Sequence, residues 1–309
     1  MCCNLAAVQS SHSLISSGTE LKIFKGLFDD ALLDVNIKSM EDERMAYPLA
    51  YGYSLVGTIV KCGSKVSQDY IGRLAFTFSP HATQVVADID SLQIVPEGIA
   101  PEDAIFMPSV ETALSLVHDA HVRLGENVAV YGQGLIGLLV TSLLNIQSQP
   151  IAASGKFGTI TVFDTLPDRL AAAAAMGASQ ALLPGGSKGP FDVSIEVSGN
   201  AKALQSAIDN TSNGGRIIVG SWYGNRNVQL KLGIDFHRSH KKIQTSQVSE
   251  IPAALLGLWS KERRFAMTWE LVRQIRPSRM LTKTTKLEHA QMAYEALDKG
   301  AEIAVAFYY

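Results

Sequence analysis

Residues 127–144 read NVAVYGQGLIGLLVTSLL, and three glycines in this stretch follow the spacing G-x-G-x-x-G. The valine-rich run before them predicts a short buried strand, and the apolar run after them predicts a helix. A strand, a tight glycine turn and a helix in this order are typical of a site for a dinucleotide pyrophosphate. The first glycine makes the turn, the second lets the backbone approach the phosphates and the third allows close packing. The predicted phosphate contacts are Gly132, Gly134, Leu135, Ile136 and Gly137.

A second predicted strand, GTITVF at 158–163, ends at Asp164. An acidic side chain at this point accepts hydrogen bonds from the ribose hydroxyls and repels a 2′-phosphate, so Asp164 favours NAD over NADP. Asp164 follows Gly132 at a longer spacing than the usual ~20 residues, and the polar stretch at 147–156 accounts for the excess. The alternative role of Asp164 is to cap the next helix. Arg169, on that helix, is a further predicted cofactor contact.

The alternation of helices and strands continues to residue 220. Helices are predicted at 166–176 and 201–209, and strands at 191–197 and 216–220, the last after a turn at 213–215. Repeated units of this length indicate an α/β fold with a doubly wound parallel sheet. A methyltransferase is the alternative, but its first strand usually ends in an acid before the glycines, which is absent here. Open sheets bind ligands at strand ends, and the predicted contacts there are Ser198, Gly199, Gly220 and Ser221.

Short strands and turns lie on either side of this region, and several longer phrases are more specific than any single motif. They are SSGTE (16–20), YPLAYGYSLVGTIV (47–60), IVPEGIAPEDAIFMP (94–108), VRLGENVAVYGQGLIGLL (122–139), FDVSIEVSGN (191–200), NGGRIIVGSWYG (213–224) and LEHAQMAYEALDKG (287–300). With them the chain resembles the medium-chain dehydrogenase/reductase superfamily almost throughout. Within it the chain is most similar to zinc-free, threonine-dehydrogenase-like proteins, including the 3-hydroxyethyl bacteriochlorophyllide dehydrogenase type.

The resemblance implies three segments. A β-rich, GroES-like catalytic lobe is expected at 1–106, a Rossmann dinucleotide-binding domain at 107–276, and a return to the catalytic lobe at 277–309. Family members usually carry a further hairpin before the SGTE region, so the resemblance also implies an N-terminal truncation.

The residues at the family's catalytic zinc site differ from those of its zinc enzymes. Those enzymes read C-G-T/S-D and G-H-E, where this chain reads SGTE at 17–20 and GYS at 52–54. The third ligand position corresponds to Pro108. Because thiolate and imidazole ligands are missing from all three positions, we predict no catalytic zinc.

Without a metal, hydride transfer to a carbonyl needs hydrogen-bond donors for the developing alkoxide, each contributing roughly 3–4 kcal/mol when well placed. The predicted catalytic residues are Thr19, Lys22 and Tyr53. Tyr53 would donate through its phenol, Lys22 would assist it, and Thr19 matches the hydroxyl that relays the alcohol proton in the zinc enzymes. A phenol is a better acid than base at neutral pH, which favours reduction. The alternatives are a core tyrosine, a turn threonine and a solvated lysine.

Two further positions have competing interpretations. The family places a threonine against the nicotinamide four residues after the third ligand position, which makes Thr112 a predicted cofactor contact, with a core hydroxyl as the alternative. The lone histidines His81 and His237 more often have structural or exposed roles than site roles.

These observations predict a zinc-independent, alcohol dehydrogenase-like oxidoreductase that prefers NAD and interconverts a carbonyl and a secondary alcohol (EC 1.1.1). A cyclic or apolar small molecule is the expected substrate, and NADP is the alternative cofactor. Two alternatives stay open: a catalytically silent nucleotide-binding protein of the same fold, and a quinone- or enoyl-type reductase, which would prefer NADPH.

The composition of the 309 residues indicates a globular protein that can bury a large core. The chain is 47% hydrophobic with a net charge of −2, which argues against a nucleic-acid or anionic-membrane partner. It has three cysteines and no C-x-x-C pair, and its N-terminus lacks the pattern of a signal or transit peptide. We therefore expect a cytoplasmic protein, with a homodimer formed through the edge of the cofactor domain near 226–246.

Overall fold

A computed structural model of the chain describes residues 4–28, 44–148, 158–186 and 189–309. It divides the chain into two compact units, one of Met1–Pro108 with Glu262–Tyr309 and one of Ser109–Lys261. The first division lies close to the predicted boundary at residue 106. The helix that precedes the predicted boundary at residue 276 packs within the first unit.

That helix is α8 (Lys261–Ile275). The indole Nε1 of Trp269 donates a hydrogen bond to Gln93 Oε1 at 3.1 Å, and its ring lies edge-on to Phe76 at 6.2 Å. A guanidinium nitrogen of Arg273 donates to the Glu97 carbonyl at 3.3 Å. These contacts join α8 to the β-rich segment at the start of the chain.

The first unit is built on a seven-stranded sheet. Its strands are β1 (Leu5–Leu14), β2 (Leu55–Cys62), β3 (Leu74–Thr77), β4 (Gln84–Asp88), β5 (Gln93–Ile94), β12 (Leu281–Lys286) and β13 (Ala304–Tyr308). The order is β12-β13-β1-β2-β3-β5, with β4 also paired to β1. The helices are α1 (Glu20–Phe24), α2 (Pro101–Ala104), α8 and α9 (Ala290–Asp298).

Strand β1 is the strand of this sheet that the sequence does not predict. Its second half, QSSHS, is polar and shows no clean alternation. It is extended because it pairs antiparallel with β2, β4 and β13, which provide backbone partners on both sides. Gly57 in β2 allows the close approach of β1, since a Cβ there would lie 2.2 Å from the Gln9 carbonyl oxygen.

The second unit contains a six-stranded parallel sheet. Its strands are β6 (Val128–Tyr131), β7 (Ile160–Phe163), β8 (Gln180–Leu182), β9 (Phe191–Glu196), β10 (Thr211–Val219) and β11 (Lys242–Thr245). Its helices are α3 (Met107–Ala120), α4 (Leu135–Ser148), α5 (Pro167–Ala175), α6 (Ala201–Asn210) and α7 (Ile234–Arg238). The strand order β8-β7-β6-β9-β10-β11 is the doubly wound order 3-2-1-4-5-6, which confirms the predicted Rossmann fold.

Two details of this sheet differ from the prediction. The edge strands β8 and β11 are too short and polar to stand out in the sequence. The predicted turn at 213–215 lies inside β10, where the register to β9 shifts between Thr211 and Arg216. Its glycines therefore accommodate an irregular strand rather than end one. Within the described residues, no helix has the length and apolar character needed to span a membrane.

Candidate functional site

The glycine turn joins β6 to α4 and is fixed by backbone contacts. Gly132 has φ +96°, and a Cβ there would lie 2.7 Å from Ser198 Cα. A Cβ on Gly137 would lie 1.9 Å from the Gly132 carbonyl oxygen. At Gly134 the nearest atom to such a Cβ is Arg169 Nη1, at 3.9 Å. The outer two glycines are therefore required by the fold, whereas the middle one leaves space in front of the turn.

The N-terminus of α4 follows this space directly. Its first backbone N–H groups have no acceptor within the helix, and its dipole favours an anion. Leu135 is buried, so this residue and Ile136 would contribute through the backbone. The buried Gln133 side chain braces the turn, with Nε2 donating to the Gly132 carbonyl at 3.0 Å and Oε1 accepting from the Thr141 hydroxyl at 3.1 Å.

Asp164 accepts hydrogen bonds from two backbone N–H groups but is not the cap of α5, whose N-cap residue is Leu166 and which has no side-chain capping bond. Its side chain lies at the end of β7 and is 9% exposed. Oδ2 accepts the Gln133 N–H at 2.6 Å, and Oδ1 accepts the Leu166 N–H at 3.0 Å. The carboxylate thus joins the glycine turn to the segment that leads into α5. Each oxygen has a second lone pair, and the ribose contact stays a prediction.

Arg169 carries an unsatisfied donor close to the turn. It lies in the first part of α5, and its Nε atom is buried without a hydrogen-bond partner among the described residues. A buried guanidinium donor left unpaired costs free energy, which an anionic group beside Gly134 would recover. The open space at Gly134, the start of α4 and this guanidinium together fit the phosphates of a nucleotide cofactor.

The predicted contacts at the ends of β9 and β10 lie together. The Gly199 N–H donates to Ser221 Oγ at 2.8 Å, and the Gly220 N–H donates to the Glu196 carbonyl at 2.9 Å. Ser198 lies against Gly132. The structure therefore places these four residues at neighbouring strand ends, with Ser198 against the glycine turn, while their contact with a cofactor stays a prediction.

Glu196 organises this group, and sequence reasoning missed it. Its fully buried carboxylate accepts the N–H and the hydroxyl of Ser198 at 2.7 Å each, and the Gly199 N–H at 3.1 Å. The Tyr223 hydroxyl donates to its second oxygen at 2.7 Å. Burial and the Glu196 charge raise the pKa of Tyr223, which keeps the phenol a donor. The available signal was an acid within the otherwise apolar strand FDVSIEV.

Within the first unit, the predicted catalytic residues lie on two neighbouring segments. The Tyr53 hydroxyl donates to Ser16 Oγ, and its ring lies edge-on to Tyr51 at 6.1 Å. Thr19 is half-buried, precedes α1 and makes no side-chain capping bond to it. Lys22 Nζ donates to the Gly18 carbonyl of its own turn. Segment 16–22 and the loop of Tyr53 therefore meet at Ser16.

Thr112 and the two histidines have different surroundings. Thr112 lies on α3 in the second unit and is half-buried. His237 is exposed on α7. His81 is buried and lies 3.0 Å from the buried carboxylate of Glu20, a pair that the sequence analysis did not predict. A glutamate at the start of a short helix gives no local sign of a partner sixty residues away.

The residues at the three zinc positions do not fit that metal. Ser17 and Tyr53 offer hydroxyl oxygens, and Pro108 offers no side-chain donor, whereas zinc sites use thiolate, imidazole and carboxylate ligands. Within the ranges that the structure describes, no group of three or more His, Cys, Asp or Glu residues could hold a metal ion.

Comparison with known proteins agrees with this architecture. The D-guloside 3-dehydrogenase of Escherichia coli K12 is 30% identical over 235 residues, which span 72% of this chain and 65% of that protein. In sequence and in fold the chain is similar to dehydrogenases of the medium-chain dehydrogenase/reductase superfamily. The aligned part covers less than two thirds of this relative's own length. No protein-family model matches the chain.

Two solved structures show the same fold at low sequence identity. An Escherichia coli CFT073 alcohol dehydrogenase, described as short-chain and complexed with NADH, is 15% identical with a TM-score of 0.76, covering 100% of this chain and 93% of that one. A Sinorhizobium meliloti 1021 dehydrogenase, described as zinc-binding and bound to NADP, is 17% identical with a TM-score of 0.74, at the same coverage. The zinc-free branch of the superfamily stays a prediction.

Proposed function

We propose that this chain is a zinc-independent oxidoreductase that prefers NAD(H) and transfers a hydride between the nicotinamide and a carbonyl or secondary alcohol. The observation that carries the proposal is the glycine turn at Gly132–Gly137. It combines open space at Gly134 with the N-terminus of α4 and the Arg169 guanidinium, whose Nε has no hydrogen-bond partner in the described part of the chain. The bound NADH of the E. coli structural neighbour supports a nicotinamide cofactor for the same fold.

The preference for NAD rests on Asp164. Its carboxylate is held at the end of β7 by two backbone N–H groups. A 2′-phosphate placed against this carboxylate would be repelled, whereas ribose hydroxyls would donate to it. Arg169 lies close enough to the turn to offset part of that repulsion, so the preference is expected to be a ratio of affinities rather than an absolute selection.

The nicotinamide would supply the hydride, and the chain's own residues would move the proton. During reduction of a carbonyl, the Tyr53 phenol would donate its proton to the oxygen that becomes the alcohol. The Ser16 hydroxyl, which already contacts the phenol, lies where it could return a proton from solvent. In this scheme, hydrogen-bond donors stabilise the developing alkoxide in place of a metal.

The proposed substrate class is supported by the name of the Escherichia coli K12 relative. That protein is named for oxidation of a D-guloside, which suggests a secondary alcohol on a sugar ring. A cyclic, hydroxylated substrate is consistent with the predicted cyclic compound and makes a wholly apolar one less favoured.

Titration calorimetry with NADH and with NADPH tests cofactor binding. Turnover measurements on glycosides, polyols and their keto forms then test the reaction. We expect NADH to bind in the micromolar range, more tightly than NADPH, and metal analysis to show no stoichiometric zinc. The Tyr53→Phe variant should lose about 100-fold in kcat while its affinity for NADH is unchanged.

The other outcomes separate the alternatives. Failure to bind either cofactor at millimolar concentration would refute the proposal. Binding without any turnover, with Tyr53→Phe indistinguishable from the parent, would indicate a silent nucleotide-binding protein. Tighter binding of NADPH with activity on quinones or enones would indicate a quinone- or enoyl-type reductase.

A further inference from the structure

A buried cluster of hydrogen-bonding side chains lies behind Tyr53 in the first unit. Its centre is the Glu20 carboxylate, which is 2% exposed. Oε1 accepts the Ser16 N–H at 2.7 Å, while Oε2 lies 3.0 Å from His81 Nε2 and accepts from the Tyr294 hydroxyl. Burying a carboxylate costs several kcal/mol unless donors surround it, as they do here. Both carboxylate oxygens of Glu20 thus have hydrogen-bonding neighbours, which hold the side chain in one orientation.

The hydroxyls of this cluster are in the protonated state that such an arrangement needs. Burial raises the pKa of Tyr294, and the negative charge of Glu20 raises it further. Burial also raises the pKa of Tyr309, whose hydroxyl lies 2.7 Å from Ser13 Oγ. Both phenols therefore remain donors throughout the neutral range.

The His81 ring is fixed on both of its nitrogen atoms. Nε2 faces Glu20, and Nδ1 lies 2.7 Å from Ser13 Oγ. The ring also lies edge-on to Phe307, with the centroids 5.0 Å apart. Ser13 belongs to β1 and Phe307 to β13, so two strands of the sheet set the position of the imidazole.

This fixed imidazole contacts the loop that carries Tyr53. The His81 backbone N–H donates to the Tyr51 carbonyl at 3.3 Å. Its ring lies against Gly52, where a Cβ would be 2.9 Å from Cδ2 and 3.0 Å from Nε2. Gly52 has φ +125°, a conformation that favours glycine, so the loop passes over the ring at a distance that leaves no room for a side chain.

Tyr53 is consequently held at both ends. His81 supports the backbone of the two residues before it, and Ser16 accepts its hydroxyl. Glu20 holds the backbone of Ser16 and also contacts His81. One carboxylate thus connects the two supports of a single phenol.

We infer that Glu20 and His81 are a positioning pair that fixes the Tyr53 hydroxyl for proton transfer. The inference rests on the proposed function for its catalytic consequence. Its structural part is that the pair fixes the position of the Tyr53 ring, and this part does not depend on the proposed function. Glu20 and His81 act through Ser16 and the loop at 51–53, not on the substrate.

The structural part can be tested without any cofactor. A 3-fluorotyrosine is introduced at position 53, and its fluorine resonance is recorded in the full chain and in the Glu20→Gln and Tyr294→Phe variants. Glutamine keeps the size of the side chain but replaces one acceptor oxygen with a donor, and Tyr294→Phe removes one hydroxyl only. We expect a single resonance in the parent, and a shift or exchange broadening in both variants.

Glu102→Gln is the matched control. Glu102 lies in the same unit with its carboxylate 3.8 Å from His12 Nε2, and it is partly exposed. It should leave the fluorine signal unmoved. If Glu20→Gln and Tyr294→Phe also leave it unmoved, the pair does not position Tyr53, whatever the activity of the protein. Circular dichroism identifies a variant that fails to fold, and Tyr294→Phe is then the deciding change.

The catalytic part is tested by a double-mutant cycle. Glu20→Gln should lower kcat about 10- to 100-fold in the parent and less than 2-fold in the Tyr53→Phe background, with the affinity for NADH unchanged in both. An equal loss in the two backgrounds would show a general structural effect and overturn the inference. If the parent itself did not bind NADH, the proposed function would be refuted. The fluorine result would still decide whether the pair positions Tyr53.

Discussion

The glycine turn of the second unit and the Tyr53 loop of the first are held by different kinds of contact. In the turn, Gly137 would bring a Cβ to 1.9 Å from the carbonyl oxygen of Gly132, so backbone meets backbone within six residues of chain. At Tyr53, the supports are side chains, and the Glu20–Tyr294 bond joins residues 274 positions apart. The first region is a local backbone shape. The second depends on residues from four separate elements of the unit, which are β1, α1, α9 and β13.

This difference determines how each region responds to substitution. A backbone shape tolerates no added atom at its tight points and depends on only a few surrounding side chains. A side-chain cluster tolerates changes of shape at its edge but loses its geometry when a central acceptor is removed. Substitutions can therefore be chosen that separate loss of fold from loss of positioning.

The largest effect should come from Gly137→Ala. The added methyl group has to displace the Gly132 carbonyl or separate α4 from β6, and we expect a loss of about 3 kcal/mol or more in the free energy of unfolding. Urea denaturation or soluble yield would measure it. A stability within 1 kcal/mol of the parent would show that the turn is less tightly built than its backbone distances indicate.

Glu196→Ala should be the next largest, because here the backbone-built region depends on a buried side chain. The change removes the acceptor of the Tyr223 hydroxyl and of the Ser198 N–H and hydroxyl, at a cost of about 2–3 kcal/mol, whereas the Gly199 N–H keeps Ser221 Oγ. Tyr223→Phe is the control, since it removes one donor and should cost about 1 kcal/mol. Equal effects of the two changes in urea denaturation would contradict the central role of Glu196.

The sequence predicts these two regions unequally, for the same physical reason. Spacing of glycines and acids along a few residues is visible in a single chain, so the turn, Asp164 and the parallel sheet could be predicted. The partners of Glu20 and Glu196 are chosen by tertiary packing, and no local pattern marks them. Strand β1 was missed likewise, because its pairing partners rather than its own residues make it extended.

Gly134→Ala should have a moderate effect on binding alone. The nearest atom to the new methyl group is Arg169 Nη1 at 3.9 Å, so the fold has room for it. The same methyl group would occupy the space proposed for the phosphates, and we expect NADH affinity to fall about 10-fold, or about 1.4 kcal/mol. Calorimetry should therefore show weaker NADH binding, while thermal unfolding of the unliganded chain should show unchanged stability. A fall in stability like that of Gly137→Ala would show that the two glycines have the same role.

The smallest effect concerns an ion pair that belongs to neither region. Glu126, before β6, accepts hydrogen bonds from the Arg216 guanidinium and from the Arg123 N–H. Burial raises the pKa of Glu126, but these bonds and the two positive charges outweigh it and leave the pKa below its ordinary value. A lowered folded-state pKa stabilises the fold above the ordinary pKa of about 4.3, and this stabilisation disappears as the pH falls through the folded-state value.

Glu126→Gln should therefore reduce the free energy of unfolding by about 1 kcal/mol at pH 7, and by progressively less as the pH falls towards 4. Urea denaturation across this range measures the difference from the parent. Glu270→Gln on α8, where the paired Arg273 and Glu270 are largely exposed, should show almost no difference at either pH. If the difference in free energy of unfolding between Glu126→Gln and the parent stayed constant with pH, packing of the side chain rather than its charge would stabilise this end of the sheet.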